Sequence, residues 1–210
     1  MHSFEHIIDS ITSNLQNTLP GEKAHLELWP EGRKLFEVNT PLKSAAVLIL
    51  IYPDENNNAS TVFIKRSSYD GHHSDQISLP GGKVDTNDKS LEETAIRESH
   101  EEIGINRQDV NIIGALSNIQ IPTSSFNVTP FIGIIPYNPL FKADNNEVAD
   151  IITISLTELI DLQIQFTHKL IKNTSYKIPY FPLNKEVLWG ATAMIINELR
   201  YVLKNGKTDF

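Results

Sequence analysis

Three glutamates close to one arginine are the residues of this chain best suited to chemistry. Arg97, Glu98, Glu101 and Glu102 lie within six residues of sequence. A helix over residues 90–103 places the three carboxylates on adjoining rows, where Glu98 and Glu102 repel each other and oppose the helix dipole. A bound divalent cation would reverse these unfavourable effects. Because the candidate ligands are carboxylates, we predict Mg²⁺, with Mn²⁺ as a substitute.

Neighbouring residues define the ends of this helix. Ser90 and Glu93 have the spacing of a capping box, and Gly104 supplies a left-handed C-terminal cap. The alternative interpretation is an acidic, solvent-exposed helix paired with Arg97. Against it, the pair Gly81-Gly82 precedes the helix, and glycines allow the backbone to approach a ligand closely. Together these features favour a ligand site.

The rotation of about 100° per residue predicts which faces of the helix are buried. We expect an apolar arc to face the core, formed by Leu91, Ala95, Ile96, Ser99 and Ile103. Glu92 projects into this arc, and Glu98 and Glu102 lie at its edge. Arg97 is placed to pair with Glu101 and with Glu93.

The patterns around this segment predict an α/β domain with a mixed β-sheet. We divide the chain into an N-terminal helix and wrapping segment, residues 1–42, and a main domain, residues 43–205. Helices are expected at 3–17, 156–162 and 189–203. Strands are expected at 45–52, 61–66, 110–115, 128–135, 148–154, 164–171 and 175–181, with a turn near Asn173.

Composition narrows the classes of partner. The net charge of -8 argues against broad nucleic-acid binding, because no basic surplus exists to replace phosphate counterions. The absence of cysteine excludes disulfides and thiolate metal sites and fits a reducing compartment. No secretory signal is visible, and the apolar run at 45–52 is too short to cross a bilayer. We expect a soluble cytoplasmic protein without membrane contact.

The segment from Gly82 to Ile105 resembles the Nudix box of hydrolases that cleave a diphosphate joined to another group. The matching residues are Gly82, Arg97, Glu98, Glu101, Glu102, Gly104 and Ile105. In two departures, the interval from Gly82 to Arg97 is one residue longer, with Asp88 near the first glutamate's place, and Ser99 replaces an aliphatic residue. The resemblance implies an α/β/α sandwich with a mixed β-sheet and a catalytic loop-helix-loop.

Further motifs resemble the coenzyme A (CoA) pyrophosphatase branch of that family. They are residues 62–67, 76–82, 128–131, 147–148 and 189–193, together with Asp85, Asp88, Ser90, Thr94 and Ala95. The branch signature would have an arginine where Gly71 stands and a glycine where Asp75 stands. The resemblance as a whole covers roughly residues 43–200.

The resemblance also implies a metal centre. Glu98 and Glu102 would be the main ligands, Glu101 would complete or bridge the cluster, and the Gly82 carbonyl would be a further ligand. Arg97 would orient the glutamates through charge-assisted hydrogen bonds. The cation would neutralise the phosphate oxygens and activate a water molecule.

Other roles stay open between alternatives. The general base is one of the helix glutamates or Glu147, which could equally be an exposed residue of a polar turn. Arg66 could contact a substrate phosphate bidentately or could be a surface arginine at a strand end. Gln76 and Gly81 are the other candidate substrate contacts.

Three further side chains receive structural interpretations. His72 and His73 are interpreted as exposed loop histidines, with phosphate contact or proton transfer as the alternative. Trp189 is interpreted as a core residue, with base stacking as the alternative.

Three functions follow from these observations. The first is hydrolysis of CoA or acyl-CoA to phosphopantetheine and adenosine 3′,5′-bisphosphate. The second is hydrolysis of an ADP-sugar or dinucleotide, motivated by Gly71 and Asp75. The third is a non-catalytic module that senses a nucleotide ligand, against which the intact glutamates argue. The N-terminal helix and the late hairpin could also form a homodimer.

Overall fold

The apolar run at 45–52 becomes the central strand of a mixed sheet in a computed structural model of the chain. The structure describes residues 4–31, 41–67, 76–121, 124–171 and 174–205. Their helices are α1 (Phe4–Asn14), α2 (Glu22–Leu26), α3 (Leu91–Ile103), α4 (Leu156–Asp161) and α5 (Gly190–Asn205), with a 3-10 turn at Arg107–Asp109. Their strands are β1 (Lys43–Pro53), β2 (Ala59–Arg66), β3 (Ile77–Ser78), β4 (Gly81–Lys83), β5 (Asn111–Ala115), β6 (Ile119–Ile121), β7 (Phe126–Ile134), β8 (Val148–Ser155), β9 (Gln165–Ile171), β10 (Thr174–Leu183) and β11 (Glu186–Trp189).

Strand β1 organises the larger sheet because it has partners on both sides. It runs parallel to β7, with Lys43 beside Phe126 and Ile51 beside Ile134. It is antiparallel to β2 and to the short strand β4. Strands β3 and β8 pair with β2, and β5 and β6 pair with β7. Strands β9, β10 and β11 form a second, antiparallel sheet.

Alternate residues of β1 enter two separate hydrophobic cores, one on each face of the sheet. Leu48 and Leu50 pack in a cluster with Ala95 of α3. Ile49 and Ile51 pack in another cluster with residues of α1, α4 and α5. Burial on both faces accounts for the unbroken apolar run of this strand. The predicted α/β/α sandwich with a mixed sheet is therefore confirmed.

The described residues correct some predicted boundaries. Trp189 ends β11 and does not begin the last helix, which starts at Gly190 with a φ of 65°. Helix α1 ends at Asn14, earlier than predicted. Helix α2 and strands β3, β4, β6 and β11 were missed because segments of two to five residues are too short to show a period. Gly71, His72, His73, Asp75 and the turn near Asn173 lie outside the described residues.

The N-terminal segment packs on α5. Phe4 and Ile11 of α1 and Leu28 beyond α2 are buried in the same core as the apolar residues of α5. The division of the chain into residues 1–42 and 43–205 stays a prediction. Within the described ranges, no helix is long and apolar enough to cross a membrane.

A fully buried carboxylate, Glu198 of α5, joins this N-terminal segment to the rest of the fold. Its Oε1 accepts the Ser117 hydroxyl at 2.6 Å and the Gly21 N–H at 3.1 Å. Its Oε2 lies 3.0 Å from His25 Nε2 and accepts the Ser117 N–H at 3.1 Å. Burial raises the pKa of this carboxyl, but its bonds with His25 and Ser117 outweigh burial, so the pKa lies below its usual value. Glu198 is thus a charged group with all its partners inside the protein.

The substitution Glu198→Gln is expected to lower the free energy of unfolding by about 2 kcal/mol, because an amide leaves buried donors without an acceptor. Urea denaturation at pH 7 measures this change. Glu92→Gln, on the exposed side of α3, is the matched control and should change the value by less than about 0.5 kcal/mol. Equal stability of the two variants would contradict the role of Glu198.

Candidate active site

The glycine pair in β4 brings the sheet and the acidic helix into contact. Gly82 pairs with Ala46 of β1, and Gly81 pairs with Val47. Gly81 has a φ of 145°, and a Cβ there would lie 2.4 Å from the Ala46 carbonyl oxygen. A Cβ on Gly82 would lie 2.5 Å from Cδ of Glu98. A side chain at Gly81 would therefore collide with the backbone of β1, whereas one at Gly82 would displace the Glu98 carboxylate.

The caps of α3 hold the helix in register with β4, with one difference from the prediction. Ser90 Oγ accepts the Glu93 N–H at 3.1 Å, as predicted. The Glu93 carboxylate instead accepts the Lys89 N–H at 2.8 Å, so the reciprocal bond to Ser90 is replaced and Glu93 does not pair with Arg97. Gly104 adopts a left-handed φ of 75° and donates its N–H to the His100 carbonyl at 3.0 Å.

The buried face of α3 differs in part from the predicted arc. Ala95, Ser99 and Ile103 are buried as expected, but Glu102 is also buried. Glu92 is exposed, which corrects the prediction that it projects into the apolar arc. The fully buried part of the helix begins only after its first turn, so Glu92 reaches solvent.

Arg97 is held chiefly by Asp88. Its Nε and Nη2 donate to the two oxygens of Asp88 at 2.8 and 2.9 Å, and Nη2 also donates to the Lys83 carbonyl at 3.2 Å. Thr94 Oγ1 donates to Asp88 at 2.8 Å. The bonds with Arg97 are the main reason that the pKa of Asp88 lies well below its usual value. Asp88 was not among the predicted site residues, although its place near the first glutamate of the box was a signal for it.

Arg97 also contacts two of the predicted glutamates. Its Nη1 donates to Glu98 at 2.9 Å and to Glu101 at 3.1 Å. Glu98 is partly buried, and burial raises its pKa despite the opposing contact with Arg97. Glu101 is exposed and also pairs with Arg107 at 3.3 Å. Glu98 therefore stays beside Gly82, whereas Glu101 lies at the rim.

Glu102 is the most buried carboxylate of the acidic helix, with 2% of its surface exposed. Its Oε2 accepts the Gly81 N–H at 2.8 Å, and its Oε1 lies 3.5 Å from Nη1 of Arg66. Burial raises the pKa of Glu102 to about 8, and the negative charges of Glu98 and Glu147 add to this effect. The Gly81 N–H and Arg66 only partly offset the burial of this acid.

The predicted substrate contacts lie at the same edge of the sheet. Arg66 ends β2 and donates its N–H to the Gln76 carbonyl at 3.1 Å. Its guanidinium faces Glu102, so its side chain is not an isolated surface arginine. The N–H of Gly81 is bonded to Glu102. The structure thus brings Arg66 and Gly81 to one carboxylate, and Gln76 is bonded to the backbone of Arg66.

Glu147 belongs to a turn that is fastened to this edge. Its carbonyl accepts the Ser67 N–H at 2.9 Å, and the same turn reaches α3 through the Asp144 N–H, which donates to the Glu102 carbonyl at 3.1 Å. The Glu147 side chain is exposed. Its negative charge nevertheless adds to the raised pKa values of Glu98 and Glu102.

The fit of these residues to a divalent cation is partial. Among the residues that the structure describes, no group of three or more His, Asp or Glu side chains is arranged to hold a metal ion. Glu101 is directed toward Arg97 and Arg107 and does not join Glu98 and Glu102. Two carboxylates beside the glycine backbone still suit Mg²⁺, which is commonly bound by one or two carboxylates together with water and substrate phosphates.

An α/β/α sandwich that carries an acidic helix behind a glycine pair is the architecture of the Nudix hydrolases. A model of the NUDIX domain matches residues 42–172, more than half of the chain. The chain therefore belongs to the Nudix family and is a Nudix hydrolase. Proteins of this family act on small nucleotide-derived substrates and generally use divalent metal ions.

Known relatives agree with this assignment. An uncharacterized Nudix hydrolase, NudL of Yersinia enterocolitica, is 29% identical over 192 residues, which cover 91% of this chain and 96% of that protein. The Nudix hydrolase RenU of M. smegmatis has a TM-score of 0.56 at 18% identity, covering 85% of this chain and 94% of its own. The NUDIX domain of Shewanella oneidensis NrtR, solved with ADP ribose, has a TM-score of 0.51 at 15% identity. The match covers 87% of this chain and 98% of that domain's chain. The two structures show a shared fold alone.

The substitution Asp88→Asn is expected to lower the free energy of unfolding by about 2 kcal/mol at pH 7, because Arg97 loses a charged bidentate partner. The folded-state pKa of Asp88 is depressed, so its stabilising contribution is complete above the unfolded-state pKa of about 3.9 and is lost as the pH falls below it. In urea denaturation, the difference in free energy of unfolding between Asp88→Asn and the wild type should become smaller as the pH is lowered from 7 to 3.

The matched control is Asp9→Asn on the exposed side of α1. Its free energy of unfolding should equal that of the wild type across this pH range. A difference between Asp88→Asn and the wild type that stays constant with pH would contradict the ionic role of Asp88.

Proposed function

We propose that this Nudix hydrolase cleaves CoA and acyl-CoA to phosphopantetheine, or its acylated form, and adenosine 3′,5′-bisphosphate, with Mg²⁺ or Mn²⁺. The observation that carries the metal dependence is the pair Glu98 and Glu102 beside Gly82. Burial raises the pKa of both carboxyls, and the protein groups around them compensate their charge incompletely. A divalent cation would stabilise the charged form of both.

The chain's own residues have distinct roles in this proposal. Glu98 and Glu102 would bind the cation together with the Gly82 carbonyl. Glu101 lies at the rim, where it accepts a hydrogen bond from the same Arg97 nitrogen as Glu98. Arg97 orients Glu98 through a charge-assisted hydrogen bond, and Asp88 positions Arg97. The cation supplies charge neutralisation on the diphosphate and activation of water.

The CoA assignment is supported by where the branch motifs meet. The motif at 62–67 contributes Arg66, the motif at 76–82 contributes Gly81, and the motif at 147–148 contributes Glu147. Arg66 and Gly81 contact Glu102, and the charge of Glu147 acts on it. In the motif at 189–193, Trp189 ends β11, and the Lys169 ammonium is 4.3 Å from its ring centroid.

Another nucleoside diphosphate derivative is the second candidate substrate class. Gly71 and Asp75 depart from the CoA branch signature, and the similar NUDIX domain of NrtR was solved with ADP ribose. This combination favours an ADP-sugar or a dinucleotide as the competing substrate. The chemistry at Glu98 and Glu102 would be the same in either case.

Product analysis with purified protein tests this proposal. Wild type is incubated with CoA, ADP-ribose and dinucleoside polyphosphates, with and without Mn²⁺. We expect Mn²⁺-dependent cleavage of CoA that falls at least about 100-fold in Glu102→Gln, because the amide binds a hard cation poorly. Glu92→Gln, on the exposed side of the same helix, should keep wild-type activity.

Each result has a separate meaning. Cleavage of ADP-ribose or a dinucleotide alone would keep the metal mechanism and reject the CoA assignment. Ligand binding without cleavage under every metal would favour the non-catalytic sensing module.

The general base is tested with Glu147→Gln. If the exposed carboxylate of Glu147 takes the proton from water, kcat should fall about 100-fold or more while Mn²⁺ affinity changes little. Glu55→Gln, in an exposed turn after β1, is the matched control. A kcat within about threefold of wild type would assign the base to a helix glutamate instead, since general bases contribute at least about 100-fold.

A further inference from the structure

We propose that Arg66 competes with the divalent cation for the Glu102 carboxylate and moves to the substrate's diphosphate, so that metal binding and substrate binding are coupled. This inference rests on the proposed function, because it requires Glu102 to be a metal ligand. It adds to that function a positioning residue that links the two binding events.

The two oxygens of Glu102 are used differently. Oε2 accepts a 2.8 Å hydrogen bond from the Gly81 N–H, a backbone group fixed by pairing with β1. Oε1 faces the guanidinium of Arg66, with a separation of 3.5 Å from Nη1. Oε1 is the oxygen that a cation can reach with the Gly81 bond to Oε2 left intact and with more lone-pair density available, and Arg66 lies there.

The backbone at Arg66 is held by two neighbouring segments. The register between β2 and β8 shifts between Lys65 and Arg66, so that Lys65 pairs with Asp150 whereas Arg66 pairs with Val148. The extra residue of this bulge, Ala149, lies in β8 opposite Arg66, and bulges of this kind are common beside active sites. The Ser67 N–H, one residue on, donates to the Glu147 carbonyl, which fastens the bulge to the Glu147 turn.

The contact between Arg66 and Glu102 is suited to exchange. A separation of 3.5 Å is at the long limit for a hydrogen bond, so the two side chains are in contact without tight geometry. The Arg66 side chain is 27% exposed, against 2% for Glu102, which leaves the guanidinium accessible from solvent. A diphosphate offers it two oxygens in the bidentate geometry that guanidinium prefers.

Coupling follows from linkage. If Arg66 must leave Oε1 for a cation to bind, a phosphate group that draws Arg66 away strengthens cation binding, and the cation strengthens phosphate binding by the same factor. The enzyme would then bind its cation most tightly when a diphosphate is present.

The test compares the full-length wild type with Arg66→Gln and Lys65→Gln. Lys65 is the matched control because it is the adjacent cation, is also 27% exposed, and pairs with Glu186 at 2.7 Å. The dissociation constant for Mn²⁺ alone is measured by electron paramagnetic resonance of the free ion. The Michaelis constant is measured for the substrate that the wild type cleaves.

Arg66→Gln is expected to bind Mn²⁺ at least about threefold more tightly, because a competing cation has been removed, and to raise the Michaelis constant about tenfold. Lys65→Gln should change both values less than about twofold. Arg66→Lys keeps the charge without the fork, so it should retain near wild-type Mn²⁺ affinity and raise the Michaelis constant. The Arg66→Lys variant also tests the role of the guanidinium if Arg66→Gln fails to fold.

Unchanged or weaker Mn²⁺ binding in Arg66→Gln, with a wild type that binds Mn²⁺ and cleaves substrate, overturns the exchange and leaves the proposed function standing. Equal tightening in Lys65→Gln would also overturn it, because the effect would then be one of net charge. A wild type that fails to bind Mn²⁺ overturns both the proposed function and this inference.

Discussion

Burial of the Glu102 carboxylate between α3 and β4 is the constraint on which the candidate site depends. Only 2% of this residue is exposed, and its described polar contacts are the Gly81 N–H and the more distant Arg66. A buried carboxyl group with so little compensation keeps its proton to a higher pH unless a cation lies beside it, in line with its raised pKa. Three neighbouring features hold this acid in place: the glycine pair, the caps of α3 and the β-bulge of β8 opposite Arg66.

The glycines show how closely this arrangement is determined. A side chain on Gly81 would meet the backbone of Ala46, and one on Gly82 would meet the carboxylate of Glu98. Strand β4 can therefore pair closely with β1 because Gly81 lacks a Cβ, and the Glu98 carboxylate can lie against β4 because Gly82 lacks one. Arg97 holds the Glu98 carboxylate in this position. Its Nε and Nη2 donate to Asp88, and its Nη1 donates to Glu98.

Local patterns were sufficient to predict much of this architecture. The apolar run of β1, the cap residues Ser90 and Gly104 and the hairpin partner β2 all carry their signal within a few residues of sequence. Contacts between distant segments could not be predicted in this way. The pairing of β4 with β1 and the contact between Arg66 and Glu102 arise only when those segments meet in the fold. The outward turn of Glu101 toward Arg107 likewise depends on tertiary geometry that a helical pattern does not contain.

The two longest helices show why burial alone does not identify a ligand site. Helix α5 buries Glu198 and Arg200, yet Glu198 accepts bonds from Gly21 and Ser117, and Arg200 donates to the carbonyls of Ile160 and Leu162 at the end of α4. The charge of Glu198 is matched within the protein, since its bonds outweigh burial and its pKa lies below the usual value. Burial lowers the pKa of Arg200, whose described bonds are mainly to neutral carbonyls. Helix α3 buries carboxylates that the protein compensates only in part, and burial dominates their raised pKa values. The difference in compensation between Glu198 and the carboxylates of α3, and not the presence of buried charge, is why α3 is the candidate ligand site.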